Sequence, residues 1–139
     1  MPVLFDSSVY IRAFRGESEA GLLFDRWRGS APLWLSSVVL EELYAGADSS
    51  SQKIIAKLER DFDSVGRVLV PSLRDWVETG KLLSKVGGKY GYERIGQGRL
   101  TNDALIATSA ARCGIRVITT NARDFARLAE FCPLRWEVR

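Results

Sequence analysis

Four acidic side chains stand where apolar runs of this sequence stop, and their type and position suit metal chemistry. They are Asp6, Glu42, Asp103 and Asp124. A desolvated carboxylate without a partner is costly, so we expect a divalent cation to neutralise the group. Several carboxylates within a few ångströms also repel one another, which raises the pKa of at least one of them until a cation binds. The sequence therefore predicts one acidic pocket that holds a metal ion.

Each acid taken alone also has an ordinary structural interpretation. Asp6 could cap the helix that starts near Ser8, and Asp103 could be a first-turn acid stabilised by the dipole of its helix. Glu42 could lie on a solvated helix face, and Asp124 could be a surface charge. The joint occurrence of the four acids favours the shared pocket.

The absence of histidine excludes much of the remaining chemistry. With no histidine and only two cysteines, the chain cannot build a Ser-His-Asp or Cys-His nucleophile, a histidine-ligated zinc site or an imidazole acid-base pair. Hydrolysis by this chain would therefore depend on carboxylates and on a metal ion that activates water.

Size and composition indicate a single domain, residues 1–139, with its own core. The 20 basic and 17 acidic residues give a formal net charge of +3, which is compatible with a nucleic-acid partner but supports one only weakly. The sequence has no secretory signal and no apolar stretch long enough to span a membrane. Cys113 and Cys132 lack CxxC spacing and are expected to be reduced, which predicts a cytoplasmic location.

Short apolar strands alternate with helical patterns along the chain. The predicted strands are residues 2–5, 33–35, 68–70 and 117–119, with an edge strand at 134–138. This alternation predicts a parallel sheet covered on both faces. Functional groups of such sheets collect at the carboxyl ends of the strands, which is where Asp6 and Asp124 are placed.

Small polar residues and glycines mark the predicted helix ends in the first half of the chain. Ser7 or Ser8 is the expected N-cap of the first helix. A second helical pattern runs from Ser18 to Gly29, and the helix after the second strand is expected to begin at Ser36 or Ser37 and to end at Gly46.

In the second half, a long helix from about Ser72 is expected to break at Gly87-Gly88, so that residues 87–98 form a flexible glycine-rich loop. Thr101-Asn102-Asp103 then supplies capping residues for a helix that ends at Gly114. The tryptophans within apolar patterns are expected to pack in the core or at an interface; they are Trp27, Trp34 and Trp76.

The order and spacing of the acidic motifs resemble the PIN-domain family over essentially the whole chain. The motifs are Asp6, Glu42 within Glu-Leu-x-x-Gly, Asp103 within Asn-Asp-Ala-Leu-Ile-Ala, and Thr120-Asn121-x-x-Asp124-Phe125. Within that family the chain is most similar to the VapC-like toxin ribonucleases of bacterial and archaeal toxin-antitoxin pairs. Glu42 is assigned to the motif in preference to its neighbour Glu41, because Leu43 and Gly46 fit the spacing from it.

The resemblance implies an α/β fold, a three-layer α/β/α sandwich around a short, mainly parallel sheet, with a magnesium or manganese site that cleaves RNA phosphodiester bonds. The family's catalytic and metal-binding positions correspond to Asp6, Glu42, Asp103 and Asp124. Supporting polar positions correspond to Ser8 and Asn121. The resemblance also implies a homodimer and a cognate antitoxin whose C-terminal segment covers the pocket.

Basic residues near the predicted pocket are candidates for gripping RNA phosphates. They are Arg12, Arg15, Lys89, Arg94 and Arg99. Basic residues at loops and helix ends are more often simply solvated, so this assignment rests on their position alone.

Two other functions stay open at this stage. The chain could be a PIN-type nuclease that processes RNA or cleaves structured DNA without an antitoxin, or a nonenzymatic PIN-like binding module. A phosphate-accepting receiver domain is disfavoured, because the central aspartate and the later lysine that such a domain needs do not occur in the expected order.

Overall fold

The computed structural model describes residues 1–16, 32–93 and 98–139, except for the side chain of Arg99. Its strands are β1 (Val3–Phe5), β2 (Leu33–Ser36), β3 (Val68–Leu69), β4 (Arg116–Thr119) and β5 (Trp136–Val138). Its helices are α1 (Ser7–Phe14), α2 (Ser37–Ala45), α3 (Ser49–Ser64), α4 (Leu73–Tyr90), α5 (Gly98–Cys113) and α6 (Ala122–Ala129). The predicted helix from Ser18 to Gly29, including Trp27, lies outside the described residues.

The five strands form one parallel sheet in the order β3-β2-β1-β4-β5. β1 lies at the centre, where Val3 pairs with Leu33 of β2 on one side and with Arg116 of β4 on the other. All three residues of β1 are buried, as expected for a strand covered on both faces. The predicted α/β sandwich is confirmed, and β5 is an edge strand as the sequence indicated.

The junction between β1 and α1 differs from the prediction. The N-cap of α1 is Asp6, whose side chain accepts a hydrogen bond from the backbone N–H of Ser8, so the assignment of the cap to Ser7 or Ser8 was wrong. Asp6 has extended backbone angles, which lets one residue end the strand and cap the helix. The carboxylate is thereby fixed at the carboxyl end of the central strand.

Helix α4 continues through Gly87 and Gly88 to Tyr90, so the predicted break at these glycines was wrong. Each glycine weakens a helix by roughly 1 kcal/mol relative to alanine, but the buried side chains of Leu83 and Val86 hold this part of α4 against the core. The helix ends instead before Gly91, which has φ +98, a backbone conformation that L side chains rarely adopt. Residues 87–90 therefore do not belong to a loop.

Helix α5 begins at Gly98, which is earlier than the sequence predicted. Leu100 is buried in this added first turn and anchors it to the core. Thr101, Asn102 and Asp103 consequently lie inside the helix, and their assignment as capping residues was wrong. The helix ends at Cys113, before Gly114 with φ +66, as predicted.

A buried polar network joins α4 to α5. The Asp75 carboxylate accepts hydrogen bonds at 2.8 Å from both Nε and Nη2 of Arg112, and the hydroxyls of Thr79 and Thr108 are 2.8 Å apart. Asp75 also forms a reciprocal capping box with Ser72 at the start of α4. These contacts satisfy buried polar groups that would otherwise destabilise the interface between the two helices.

The tryptophans of the described residues have different environments. Trp34 is partly buried against the core, whereas Trp76 is 55% exposed and therefore does not pack in the core. In the ranges that the structure covers, no helix is both long and apolar enough to cross a membrane.

Candidate active site

Asp6 is the most tightly held of the four acids. It is buried, and its Oδ1 atom accepts hydrogen bonds from the backbone N–H of Ser8 at 3.0 Å and from the Ser8 hydroxyl. Its Oδ2 atom accepts a hydrogen bond from the Thr119 hydroxyl at 2.6 Å. Because a carboxylate has about four lone-pair sites, the side chain can still offer one to another ligand.

Backbone N–H groups orient the two hydroxyls toward Asp6. The Ser8 Oγ atom accepts a hydrogen bond from the N–H of Thr120 at 3.1 Å, and the Thr119 Oγ1 atom accepts one from the N–H of Asn121 at 2.9 Å. A hydroxyl that accepts from a backbone N–H still has its own hydrogen to donate, and in both cases Asp6 receives it. The connection from β4 to α6 thus fixes the direction of both hydrogen bonds.

Sequence reasoning missed the contribution of Thr119. It assigned this residue to a strand and took Thr120 and Asn121 as the motif, yet Thr119 is the buried residue that donates to Asp6. A signal was present in the sequence, because the hydroxyl residue Thr119 directly follows the apolar residues Val117 and Ile118 at the end of β4. The partner Ser8 was identified as a supporting residue, and the structure places it in contact with Asp6.

Burial raises the pKa of Asp6, and the hydrogen bonds from Ser8 and Thr119 oppose this rise. Glu42 on α2 is half-buried, and its pKa is raised first by burial and then by the negative charge of Asp6. The two carboxylates are therefore close enough to repel each other, as expected for a shared acidic site. Hydrogen bonding from Ser7 and Asn102 lowers the pKa of Glu42 and offsets part of the rise.

One oxygen of Glu42 is unusual in this setting. Its Oε1 atom is buried and has no hydrogen-bond partner among the described residues. A buried carboxylate oxygen without a donor is costly, and a cation would remove that cost. The neighbouring Glu41 is exposed, and its Oε2 atom accepts a hydrogen bond from the Asn102 amide at 3.1 Å, so the two adjacent glutamates differ in environment.

The remaining two acids lie on two further helices, α5 and α6. Asp103 is 4% exposed and follows Asn102 on α5, which packs against α2. Asp124 lies in the first turn of α6, where its Oδ2 atom accepts a hydrogen bond from the Asn121 amide at 3.2 Å. The backbone N–H of Asn121 donates to the Thr119 hydroxyl, which itself donates to Asp6. A chain of hydrogen bonds therefore connects Asp124 to Asp6.

The acids are not arranged as a closed cage of ligands. Over residues 1–16, 32–93 and 98–139, no group of three or more acidic or cysteine side chains is placed so that it could hold a metal ion. The pair Asp6 and Glu42 nevertheless fits Mg²⁺, which commonly takes one or two carboxylates and completes its octahedron with water and substrate phosphate. The Asp6 carboxylate and the buried Glu42 Oε1 atom are the oxygen ligands that this pair offers.

The five basic residues that are candidates for RNA contact differ in their position relative to Glu42. Arg15 lines a groove that also includes Glu42, and Arg12 lies on the same helix, α1. Lys89 instead donates to Glu130 at 2.6 Å, so it is engaged in an ion pair between α4 and the end of α6. Arg94 and the side chain of Arg99 lie outside the described residues.

Comparison with known proteins agrees with this architecture. A model of the PIN domain matches residues 3–131, and the chain therefore belongs to the PIN-domain family. Comparison with curated protein sequences gives no match.

Solved structures with the same fold come from several bacteria. A chain of the DNA-bound VapBC structure from Salmonella typhimurium has 21% identity and a TM-score of 0.71, with 99% of this chain and 98% of that chain covered. A chain of VapBC-1 from nontypeable Haemophilus influenzae has 23% identity and a TM-score of 0.67, with the same shares covered. A chain of VapBC2 from Rickettsia felis, bound to a DNA fragment from its promoter, has 19% identity and a TM-score of 0.70, with 100% of this chain and 99% of that chain covered. These likenesses show a shared fold over nearly the full length of each chain.

Proposed function

We propose that this PIN-domain protein is a Mg²⁺- or Mn²⁺-dependent endoribonuclease and the toxin of a toxin-antitoxin pair. The observation that carries the proposal is the repelling pair Asp6 and Glu42, with raised pKa values and a buried Glu42 oxygen that lacks a donor. Supporting it, the structures of similar fold are described as VapBC complexes, and another is described as a toxin-antitoxin complex from Klebsiella pneumoniae.

In this proposal Asp6 and Glu42 would hold the cation, and Asp103 and Asp124 would add negative charge to the site and orient water there. A bound Mg²⁺ ion lowers the pKa of a water molecule and offsets charge on the scissile phosphate. The hydrogen bonds from Ser8 and Thr119 hold the Asp6 carboxylate in one orientation. Asn121 holds Asp124 in the same way.

Hydrolysis by water does not use the ribose 2′-hydroxyl as nucleophile. The expected products therefore carry a 5′-phosphate and a 3′-hydroxyl, and 2′,3′-cyclic phosphate ends would contradict the mechanism. Arg12 on α1 and Arg15, the C-cap residue of that helix, are the basic residues proposed to contact phosphates near Glu42. Lys89, Arg94 and Arg99 stay predictions for RNA contact, and the cytoplasmic location also stays a prediction.

The decisive experiment is cleavage of single-stranded RNA by the purified protein. Cleavage should require Mg²⁺ or Mn²⁺, stop on addition of EDTA and fall strongly in Asp6→Asn and Glu42→Gln. Asp61→Asn is the matched control, because Asp61 is exposed and pairs only with Lys57 on its own helix among the ion pairs that the structure gives it. Cleavage that persists in EDTA, or in both site variants, would contradict the proposal.

The antitoxin is proposed to cover the groove beside Glu42. This groove is a cavity of about 340 Å³ whose walls include Ile11 and Phe14, each 37% exposed, together with Arg15 and Leu43. An apolar segment that ends in an arginine or lysine would fill it and pair with Glu42 in competition with the cation. Phe14→Asp should then weaken inhibition by the cognate partner, measured as the partner concentration that halves cleavage.

A homodimer is also proposed on the basis of the toxin resemblance, and light scattering of the purified chain tests it. The alternative functions make different predictions for the same preparations. A processing nuclease would cleave RNA without a cognate inhibitor encoded beside it, and a binding module would bind RNA but leave it intact in Mg²⁺ and Mn²⁺.

A further inference from the structure

A second groove lies next to the acidic site, on the side of Glu41. It is a cavity of about 400 Å³ between α2, the end of β3, α4 and α5. Its walls include Pro71 and Trp76, together with the polar residues Ser37, Glu41 and Asn102. The groove therefore combines an aromatic wall with hydrogen-bonding groups, which is the usual composition of a small-ligand site.

The position of the groove connects it to the proposed chemistry. Glu41 and Asn102 line it, and each is the sequence neighbour of a proposed site acid, Glu42 or Asp103. The hydrogen bond from Asn102 to Glu41 at 3.1 Å joins α5 to α2 where the groove meets the acids. A nucleotide with its phosphate at Asp6 and Glu42 could thus reach the groove with an adjoining base.

The aromatic wall is available for stacking. Trp76 is 55% exposed, and Val70, which lines the same groove, is 63% exposed. Proteins bind unpaired bases by stacking them on aromatic rings, at roughly 1–3 kcal/mol per base. This stacking is tolerant of base identity, so the polar wall has to supply any selectivity.

The polar wall mainly presents acceptors. The Glu41 carboxylate has only acceptor oxygens, and the Asn102 amide spends a donor on it, which leaves the Asn102 carbonyl oxygen as a further acceptor. Among the four bases, guanine alone has two adjacent donors on its Watson-Crick edge, the ring N1–H and the N2 amino group. A carboxylate can accept both in a charge-assisted pair.

We propose that the groove of Trp76, Glu41 and Asn102 is a guanine-binding subsite that selects the RNA sequence next to the scissile bond. Trp76 stacks on the base, Glu41 accepts from its N1–H and N2 amino groups, and Asn102 holds the Glu41 carboxylate in position. The proposal rests on the proposed function, because it assigns the groove to the substrate of the same site.

A binding experiment tests the subsite without requiring turnover. In the Asp6→Asn background, we would measure the affinity for single-stranded RNA oligonucleotides with one guanine in a uridine background, and for the same oligonucleotides with adenine or inosine. Inosine lacks only the N2 amino group of guanosine. We expect guanine to bind roughly tenfold or more tightly than adenine, since hydrogen bonds to charged groups contribute about 1.5–3 kcal/mol, and inosine to lie between them.

Variants separate the two walls of the groove. Glu41→Gln should abolish most of the preference for guanine over adenine while it keeps binding to the other bases. Trp76→Ala should weaken binding to every base by about fivefold or more, and Trp76→Phe should recover part of that loss. Leu73→Ala is the control, because Leu73 is 81% exposed on the same helix but does not line the groove; it should leave the preference unchanged.

The results that would contradict the guanine subsite differ from the results that would contradict the proposed nuclease activity. Equal binding of guanine, adenine and inosine, or a guanine preference that survives in Glu41→Gln, would overturn the subsite. A second contrary result would be that Trp76→Ala and Leu73→Ala both change the molecular mass in solution and that neither changes RNA binding. The surface around Trp76 would then be an interface between copies of the chain, and the subsite would be refuted. Absence of RNA cleavage by the wild type refutes the nuclease but leaves this binding test intact.

Discussion

At the scale of single residues, Asp6 is subject to opposing effects. Burial disfavours its charge and raises its pKa, whereas three hydrogen bonds from Ser8 and Thr119 favour the charged form. Burial dominates, so the folded protein without a cation is less stable when Asp6 is ionised. Asp6 therefore stabilises the start of α1 as its N-cap while its buried charge has an opposing cost.

Replacing Asp6 with Asn should therefore separate stability from activity. Asparagine keeps one acceptor oxygen for Ser8 and removes the buried charge, but its amide nitrogen cannot accept from the Thr119 hydroxyl. Because these two effects oppose each other, the melting temperature without divalent cations should stay close to that of the wild type. RNA cleavage should fall by on the order of a hundredfold or more. Thermal unfolding and an RNA cleavage assay on the same preparation measure both effects.

The response to Mg²⁺ provides the control for that variant. A ligand at one hundred times its dissociation constant stabilises the folded state by about 2.7 kcal/mol, so saturating Mg²⁺ should raise the melting temperature of the wild type but not of Asp6→Asn. An equal increase in both proteins would show that Mg²⁺ binds elsewhere.

At the scale of elements, the second half of the chain shows where helix ends are decided. Gly87 and Gly88 resemble a break in sequence, but they lie inside α4, and the positive φ of Gly91 ends the helix instead. Burial of neighbouring side chains overrides the weak helix propensity of glycine. Propensity alone could not reveal this, because it does not include the contacts made by Leu83 and Val86.

Two glycine substitutions test this boundary. At Gly88 an added Cβ would lie 3.8 Å from the Tyr92 hydroxyl oxygen, an ordinary contact, so Gly88→Ala should stabilise the protein by about 0.5–1 kcal/mol. Gly91→Ala should destabilise it by a comparable or larger amount, because alanine is strained at φ +98. Urea unfolding measures both, and a destabilised Gly88→Ala would contradict a helix that continues through this position.

Local patterns predicted some elements well. The strands and the glycine that follows α5 were predicted from apolar runs and from Gly114, because these signals depend on nearest neighbours in the sequence. The start of α5 was not predicted correctly, because the added first turn depends on the burial of Leu100 against residues distant in the sequence. Tertiary packing therefore placed Asp103 inside a helix, where sequence reasoning had placed it at the helix start.

At the scale of the whole molecule, buried acids have opposite effects on the pH dependence of stability. Arg112 holds the pKa of Asp75 below its ordinary value, whereas burial raises the pKa values of Asp6 and Glu42. Asp75 therefore contributes stability above its unfolded pKa of about 3.9, which is lost as pH falls. Asp6 and Glu42 lower stability as pH rises from about 4 through their raised pKa values.

Asp75→Asn should reveal the first of these effects. We expect it to lower the free energy of unfolding by about 1–3 kcal/mol at neutral pH, because it removes the charge that pairs with Arg112. The difference from the wild type should shrink as pH falls from about 4 through the lowered pKa of Asp75, where the carboxylate of the folded protein becomes protonated. Urea unfolding across this range, in EDTA, provides the measurement, and a difference independent of pH would contradict the role of the ion pair.

The sequence was enough to name the candidate acids and two of their polar partners, Ser8 and Asn121, but not the third partner, Thr119. Spacing and residue type were enough to select Asp6, Glu42, Asp103 and Asp124 as candidates, and the structure brings Asp6 and Glu42 into electrostatic contact. The contact between Thr119 and Asp6 was not predictable in this way, because the two residues are 113 positions apart. The different environments of Glu41 and Glu42 likewise depend on how α2 packs against α5.

The position of β1 in the middle of the sheet determines when the environment of Asp6 can form during synthesis of the chain. β1 is translated more than a hundred residues before its partner β4 and the hydroxyl of Thr119. A nascent chain that stalls before residue 116 lacks half of the neighbours of its central strand and cannot assemble the Asp6 environment. Incomplete translation products should therefore lack the Asp6 environment on which the proposed cleavage depends.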